Sequence, residues 1–167
     1  GDPVLLARQA LLHYLEHGRP PAPPEPLPAE LSPRAGTFVS LKKGGELRGC
    51  IGTVEPVRRS LAEEIIMNAV SAGVRDPRFE PVRLEEIDEL TFSVDVLMPP
   101  ERIESPAELD PGKYGVLLRS GHRSGLLLPD LEGIDTAAEQ IAIARRKAGI
   151  GPHEPVELYR FEVRRYS

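Results

Sequence analysis

The 167-residue chain carries 26 acidic and 21 basic side chains, giving a net charge of -5, and 40% of its residues are hydrophobic. This acidic balance argues against broad, sequence-independent nucleic-acid binding, and no apolar run reaches the roughly 20 residues needed to cross a bilayer. A single cysteine excludes an intramolecular disulfide, so we expect a soluble, cytoplasmic protein that folds as one domain over residues 1–167.

The first predicted element is a helix, and a proline-rich connector follows it. Asp2-Pro3 is typical of an N-cap and first helical residue, and Gly18 ends the helix after about His17. The expected buried stripe is made of Val4, Leu5, Leu11, Leu12 and Leu15. Residues 19–33, RPPAPPEPLPAELSP, cannot form a helix interior or a central strand because proline lacks an N–H. We interpret this segment as a stiff surface tether, with a docking motif for a proline-reading domain as the alternative.

The centre of the chain predicts a hairpin, a helix and an irregular stretch. The hairpin pairs residues 37–41 with 46–52 around a turn at 43–45. Ser60, followed three residues later by Glu63, indicates the start of a helix that ends at Gly73. Residues 74–81 are irregular because of their prolines, and a short helix is expected within 83–89.

The last third predicts a strand, a second hairpin, a helix and a final strand. The alternation in LTFSVDVLMPP predicts a strand that Pro99 and Pro100 end, and the hairpin turns at 120–122. Asp135 or Thr136 caps a helix that runs to Lys147, and residues 156–166 alternate as one last strand. Helices combined with hairpin-linked strands predict an α+β fold with a largely antiparallel sheet.

The segment LRGCIG, residues 47–52, is the strongest candidate for a functional site. Strand alternation predicts that Leu47, Gly49 and Ile51 face the core, whereas Arg48, Cys50 and Gly52 face outward. A guanidinium beside a thiol favours the thiolate, and Gly49 and Gly52 allow close approach by another backbone or a ligand. A purely structural role, with an inert cysteine beside a surface arginine, is the competing interpretation.

The segment DPRFEP, residues 76–81, supplies the second group of candidates. Asp76 can cap its own turn, and Phe79 is expected to anchor the segment. Arg78 either pairs with Asp76 or faces the same opening as Arg48, and a structural turn is the favoured interpretation. The four histidines are expected at the surface, and no His, Cys and Asp spacing predicts a metal site.

Four blocks in order resemble the AMMECR domain family. They are GTFVSLKKGGELRGCIGTVEP, NAVSAGVRDPRFEP, GLLLPD and RRKAGI, and the resemblance extends from about Leu5 to Phe161. LRGCIG matches the family signature in full. Two departures stand out: Asp130 replaces the usual glutamine of LLPQ, and the cysteine often found ahead of the KAG block is absent.

The resemblance implies a two-lobed α+β domain with the signature side chains facing a cleft between the lobes. It also implies an association with Memo-like and radical-SAM proteins, and a role in RNA modification has been proposed for the family. No activity is established for the family, so the resemblance does not name a reaction.

Two functions follow as hypotheses. The first, which we favour, is an accessory module that binds a peptide, protein or small molecule through Arg48, Gly49, Gly52, Asp76 and Arg78. The second is an enzyme that uses Cys50 as a thiolate nucleophile or redox thiol activated by Arg48. Neither hypothesis calls for a cofactor or a membrane.

Overall fold

A computed structural model describes residues 3–167 and divides the chain into two compact units. The first unit runs to Val96 and also takes in Arg164–Ser167, and the second unit is Leu97–Val163. Each unit contains one four-stranded sheet, and the strand pairings recorded between residues 37 and 161 are antiparallel. The α+β class with antiparallel sheets is therefore confirmed, while the cleft between lobes stays a prediction.

The first unit packs one helix on its sheet and a second helix against the first. Its elements are α1 (Pro3–His17), β1 (Thr37–Lys43), β2 (Glu46–Thr53), α2 (Leu61–Val74), β3 (Leu90–Leu97) and β8 (Val163–Tyr166). The strand order is β2-β1-β3-β8. Ser60 caps α2 by accepting a hydrogen bond from the backbone N–H of Glu63, as the sequence predicts. Val39 and Leu41 of β1 are fully buried on the face that α2 covers.

The second unit packs one helix on its sheet. Its elements are β4 (Glu101–Ile103), β5 (Gly115–Ser120), β6 (Arg123–Leu127), α3 (Ala137–Ala148) and β7 (Glu157–Phe161), with the strand order β4-β7-β5-β6. Thr136 caps α3, and Gly149 ends it in the left-handed conformation. Ile103, Val116, Leu118 and Ala144 form the centre of the core between sheet and helix.

Three sequence expectations require correction. Leu5 is 50% exposed, because the buried face of α1 is made of small and aliphatic residues that include Ala7, Ala10 and Leu11. The predicted last strand is two strands, since the chain leaves one sheet at Glu162 and joins the other. The proline-rich segment is not wholly extended, because Ala29–Leu31 form a 3-10 turn that buries Leu31. The predicted cap Asp2 lies outside the described residues.

Within residues 3–167, no helix combines the length and the apolar character that a membrane span requires.

Candidate functional site

Cys50 lies in the middle of β2, half-buried, opposite Ser40 of β1. Its Sγ is 3.3 Å from the hydroxyl oxygen of Ser40, and its backbone N–H donates to Oδ2 of Asp76 at 3.0 Å. Ser40 in turn lies opposite Ser93 of β3. The thiol therefore belongs to a short polar row that crosses three strands.

Asp76 joins this row to the loop that follows α2. Its side chain is only 2% exposed, and it accepts the backbone N–H of Arg78 at 3.1 Å in addition to that of Cys50. The Arg78 side chain donates from Nε to Oδ1 at 3.1 Å and from Nη2 to Oδ2 at 2.8 Å. These hydrogen bonds, those from the Arg78 side chain above all, outweigh burial and hold the pKa of Asp76 far below its usual range. Asp76 is thus a buried anchor that is ionised at neutral pH.

Arg78 is held rigidly yet remains accessible. Its side chain is 57% exposed, its Nη2 also donates to the carbonyl oxygen of Cys50 at 3.3 Å, and its guanidinium carbon lies 5.4 Å from the ring centroid of Phe79. The hydrogen bond with Asp76 raises the pKa of Arg78 further. Nη1 makes no hydrogen bond with any described residue, so two N–H donors of a fixed guanidinium face solvent.

Arg48 occupies a different environment. A register shift between Leu41 and Lys42 leaves it as the extra residue of a β-bulge, because Leu41 pairs with Gly49 and Lys42 with Leu47. Its Nε and Nη2 donate to the two carboxylate oxygens of Glu86 at 3.2 and 3.3 Å. Its Nη1 and Nη2 also donate to the carbonyl oxygens of Glu80 and Pro81.

Glu86 is the acceptor that fixes Arg48, and it also accepts from Lys43 at 3.1 Å and from the backbone N–H of Arg83 at 2.8 Å. Burial alone would raise its carboxyl pKa, but the hydrogen bonds from Arg83, Arg48 and Lys43 lower the pKa of Glu86 to about 2. Arg48 is 18% exposed and all three of its nitrogens are bonded, so it is a structural clamp.

The bulge also corrects the predicted faces of β2. Leu47, expected in the core, is 41% exposed. Gly49 faces the core as predicted, and a Cβ there would lie 2.1 Å from the carbonyl oxygen of Ala72 in α2. A Cβ on Gly52 would lie 2.3 Å from ring atoms of Phe38. Close packing inside the protein therefore requires glycine at both positions. This is the approach by another part of the chain, not by a ligand, that the sequence analysis offered as one of two reasons for these glycines.

The structure thus brings together Cys50, Asp76 and Arg78 and separates Arg48 into a second cluster. Ser40, Glu86 and Lys43 were not predicted as partners. Ser40 could have been found from the hairpin register, whereas Glu86, 38 residues from Arg48 along the chain, carries no local signal. Among residues 3–167, no group of three or more His, Cys, Asp or Glu side chains is arranged to hold a metal ion.

Comparison with known proteins gives a consistent family match. A family model described as AMMECR1 matches residues 4–166. A protein of Thermotoga maritima is 50% identical over 98% of this chain and 96% of its own length. A protein of Clostridium acetobutylicum is 49% identical over 99% of this chain, which spans only 36% of that longer relative. The crystal structure of the uncharacterized protein PH0010 from Pyrococcus horikoshii superposes with a TM-score of 0.88 at 38% identity, covering 98% of this chain and 88% of that one.

Proposed function

Because the chain belongs to the AMMECR1 family, we propose that it acts as a binding module whose site is Arg78, fixed by Asp76 beside Cys50. The observation that carries this proposal is the exposed guanidinium whose Nη1 donors remain unused while its other nitrogens are locked. A donor that is already immobilised loses little conformational entropy when a ligand binds. The ligand is a peptide or small molecule that presents a carboxylate.

The charge of the site selects a carboxylate over a phosphate. Asp76 is ionised and already balances the charge of Arg78, so the pair has no net positive charge to offer a dianion. Two N–H donors on one nitrogen suit a singly charged oxygen acceptor, for which a charge-assisted hydrogen bond is stronger than a neutral one. The hydroxyl groups of Ser40 and Ser93, which continue the row from Cys50, supply further polar contacts.

An enzyme that works through Cys50 is not favoured. That hypothesis needed Arg48 as the activating cation, and Arg48 is hydrogen-bonded to Glu86 and two backbone carbonyl groups instead. The only side chain that hydrogen-bonds the thiol in the described structure is Ser40, through its hydroxyl.

The proposal includes a cellular setting that the family resemblance supports. The module acts in the cytoplasm as an accessory to Memo-like and radical-SAM proteins, in a system that modifies RNA. Co-expression of this chain with such proteins, followed by affinity capture of each, tests this part separately, since it requires that the chain be retained by at least one of them.

The binding site is tested by NMR titration of the full chain with sodium acetate and, separately, with inorganic phosphate, following the Arg side-chain Nε–H signals and the backbone amides of residues 50 and 78, which every variant retains. We expect acetate to shift the Arg78 signal in a saturable way and phosphate to have a weaker effect. Arg78→Lys should abolish saturable binding, whereas the matched variant Arg48→Lys should leave acetate binding by Arg78 intact. Equal acetate binding by the parent and Arg78→Lys would refute the site, and tighter binding of phosphate would refute the carboxylate assignment.

A further inference from the structure

Two histidines lie one turn apart at the C-terminal end of α1, far from Cys50 and Arg78 in the sequence. The ring centroids of His13 and His17 are 4.6 Å apart, and the rings are inclined at 49°. His13 is half-buried and His17 is exposed, so a small ion can reach both. Positions i and i+4 share one face of a helix, which is the spacing that helical two-histidine metal sites use.

The backbone after the helix fixes the protonation pattern of His13. Gly18 adopts a φ of +76° and turns the chain, so that the carbonyl oxygen of Arg19 lies 2.9 Å from Nδ1 of His13. A carbonyl oxygen can only accept, so Nδ1 carries the proton and Nε2 keeps its lone pair. A backbone carbonyl on the far nitrogen is the usual orienting partner of a metal-binding histidine.

Electrostatics at this position favour a cation. The last turn of α1 presents the negative end of the helix dipole, and the exposed Glu16 lies between the two histidines in sequence. Although no metal site was predicted from the histidines in the sequence, the segment His13-Tyr14-Leu15-Glu16-His17 has the H-x-x-E-H order found in one class of helical zinc sites.

We propose that His13 and His17 form a two-histidine site for a late first-row transition metal ion, of the kind that imidazole prefers: Zn²⁺, Cu²⁺ or Ni²⁺. The described residues hold no group of three or more metal-binding side chains, so water or a group from a second molecule completes the coordination. This is an open site for reversible binding, unlike the closed four-ligand sites that hold structural zinc.

The test is calorimetric titration of the metal-free full chain with Zn²⁺ alone. We expect one ion to bind, and His17→Ala and His13→Ala each to weaken binding by about tenfold or more, a loss of about 1.4 kcal/mol per tenfold. His122→Ala and His153→Ala are matched controls, because both histidines are exposed and lie in the second unit. Binding by these two controls should equal that of the parent chain.

A second readout uses Cu²⁺ and electron paramagnetic resonance. The parent chain should show two nitrogen ligands from imidazole, and His17→Ala should show one. Since His17 is exposed, we expect its replacement to leave the helix folded, and circular dichroism checks this. Unchanged Zn²⁺ affinity in His17→Ala, or an equal loss in either control variant, overturns the proposal.

Discussion

Two arginines thirty residues apart show how the same side chain takes opposite roles. All three guanidinium nitrogens of Arg48 donate hydrogen bonds to Glu86, Glu80 and Pro81, so its charge and its donors are satisfied within the protein. Arg78 donates from two nitrogens to Asp76, and its third makes no hydrogen bond with a described residue. The two arginines differ in the number of acceptors that surround each guanidinium, and the alternation of residues along β2 does not predict this number.

Asp76 should make stability depend on pH. Its folded-state pKa is lowered, so its contribution to the free energy of unfolding is present above the ordinary aspartate pKa near 4 and is lost as the pH falls below it. We expect Asp76→Asn to be less stable than the parent at pH 7 by about 1–3 kcal/mol, because buried donors lose a charged acceptor. The gap should narrow as the pH falls from 5 to 3, as measured by urea unfolding with circular dichroism.

The control for this prediction is Asp88→Asn. The Asp88 side chain is 88% exposed and, among residues 3–167, pairs only with Arg8, so this variant should differ little from the parent at any pH. A stability gap between Asp76→Asn and the parent that stays constant from pH 7 to pH 3 would contradict the ionised anchor.

At the scale of elements, β2 shows what could be predicted from sequence and what could not. The hairpin and the caps of α2 and α3 follow from local signals, and the structure has them. The pairing of Asp76 with Arg78 was one of two predicted alternatives, since the residues are only two apart. The bulge at Arg48 depends on the register between two strands, which no local pattern specifies, and it moves Leu47 out of the core.

The contact between β2 and α2 makes Gly49 a packing residue that can be tested. A Cβ at this position would lie 2.1 Å from the backbone oxygen of Ala72, and backbone cannot yield as a flexible side chain can. We expect Gly49→Ala to lower the free energy of unfolding by about 1–3 kcal/mol, the usual cost of overpacking. Gly112→Ala is the matched control, because its new Cβ meets only Asp110 at 3.6 Å, and it should change stability by less than about 0.5 kcal/mol. Equal urea midpoints for the two variants would show that α2 moves away at no cost.

At the scale of the whole molecule, the first unit is discontinuous in sequence. The chain leaves it after Val96, builds the second unit, and returns with β8 to the edge of the first sheet. The first unit therefore lacks an edge strand until the last residues of the chain are in place. Bringing β8 back to the first sheet costs loop-closure entropy, and the contacts that β8 makes must offset this cost.

Arg165 of β8 makes one such contact, and its removal should destabilise the first unit. It donates from Nε and Nη2 to the two carboxylate oxygens of Asp95 on β3, at 2.8 and 3.2 Å, and the Asp95 side chain is only 7% exposed. Arg165→Ala leaves this buried carboxylate without its fork of donors, so we expect a loss of about 1–3 kcal/mol in urea unfolding. Arg164→Ala, on the neighbouring exposed arginine, is the matched control and should be near neutral.

The strands that lose stability distinguish the loss of the Arg165–Asp95 interaction from a general effect of removing a positive charge. Hydrogen exchange should become faster in β3, and in β1 that pairs with it, when Arg165 is replaced. In Asp95→Asn, which removes the buried charge, replacing Arg165 should cost less than it does in the parent, because the interaction being deleted is already weakened. If the losses in the free energy of unfolding caused by the two replacements are instead fully additive, the interaction between Arg165 and Asp95 contributes no stability. In that case β8 is held to the first unit by its backbone hydrogen bonds alone.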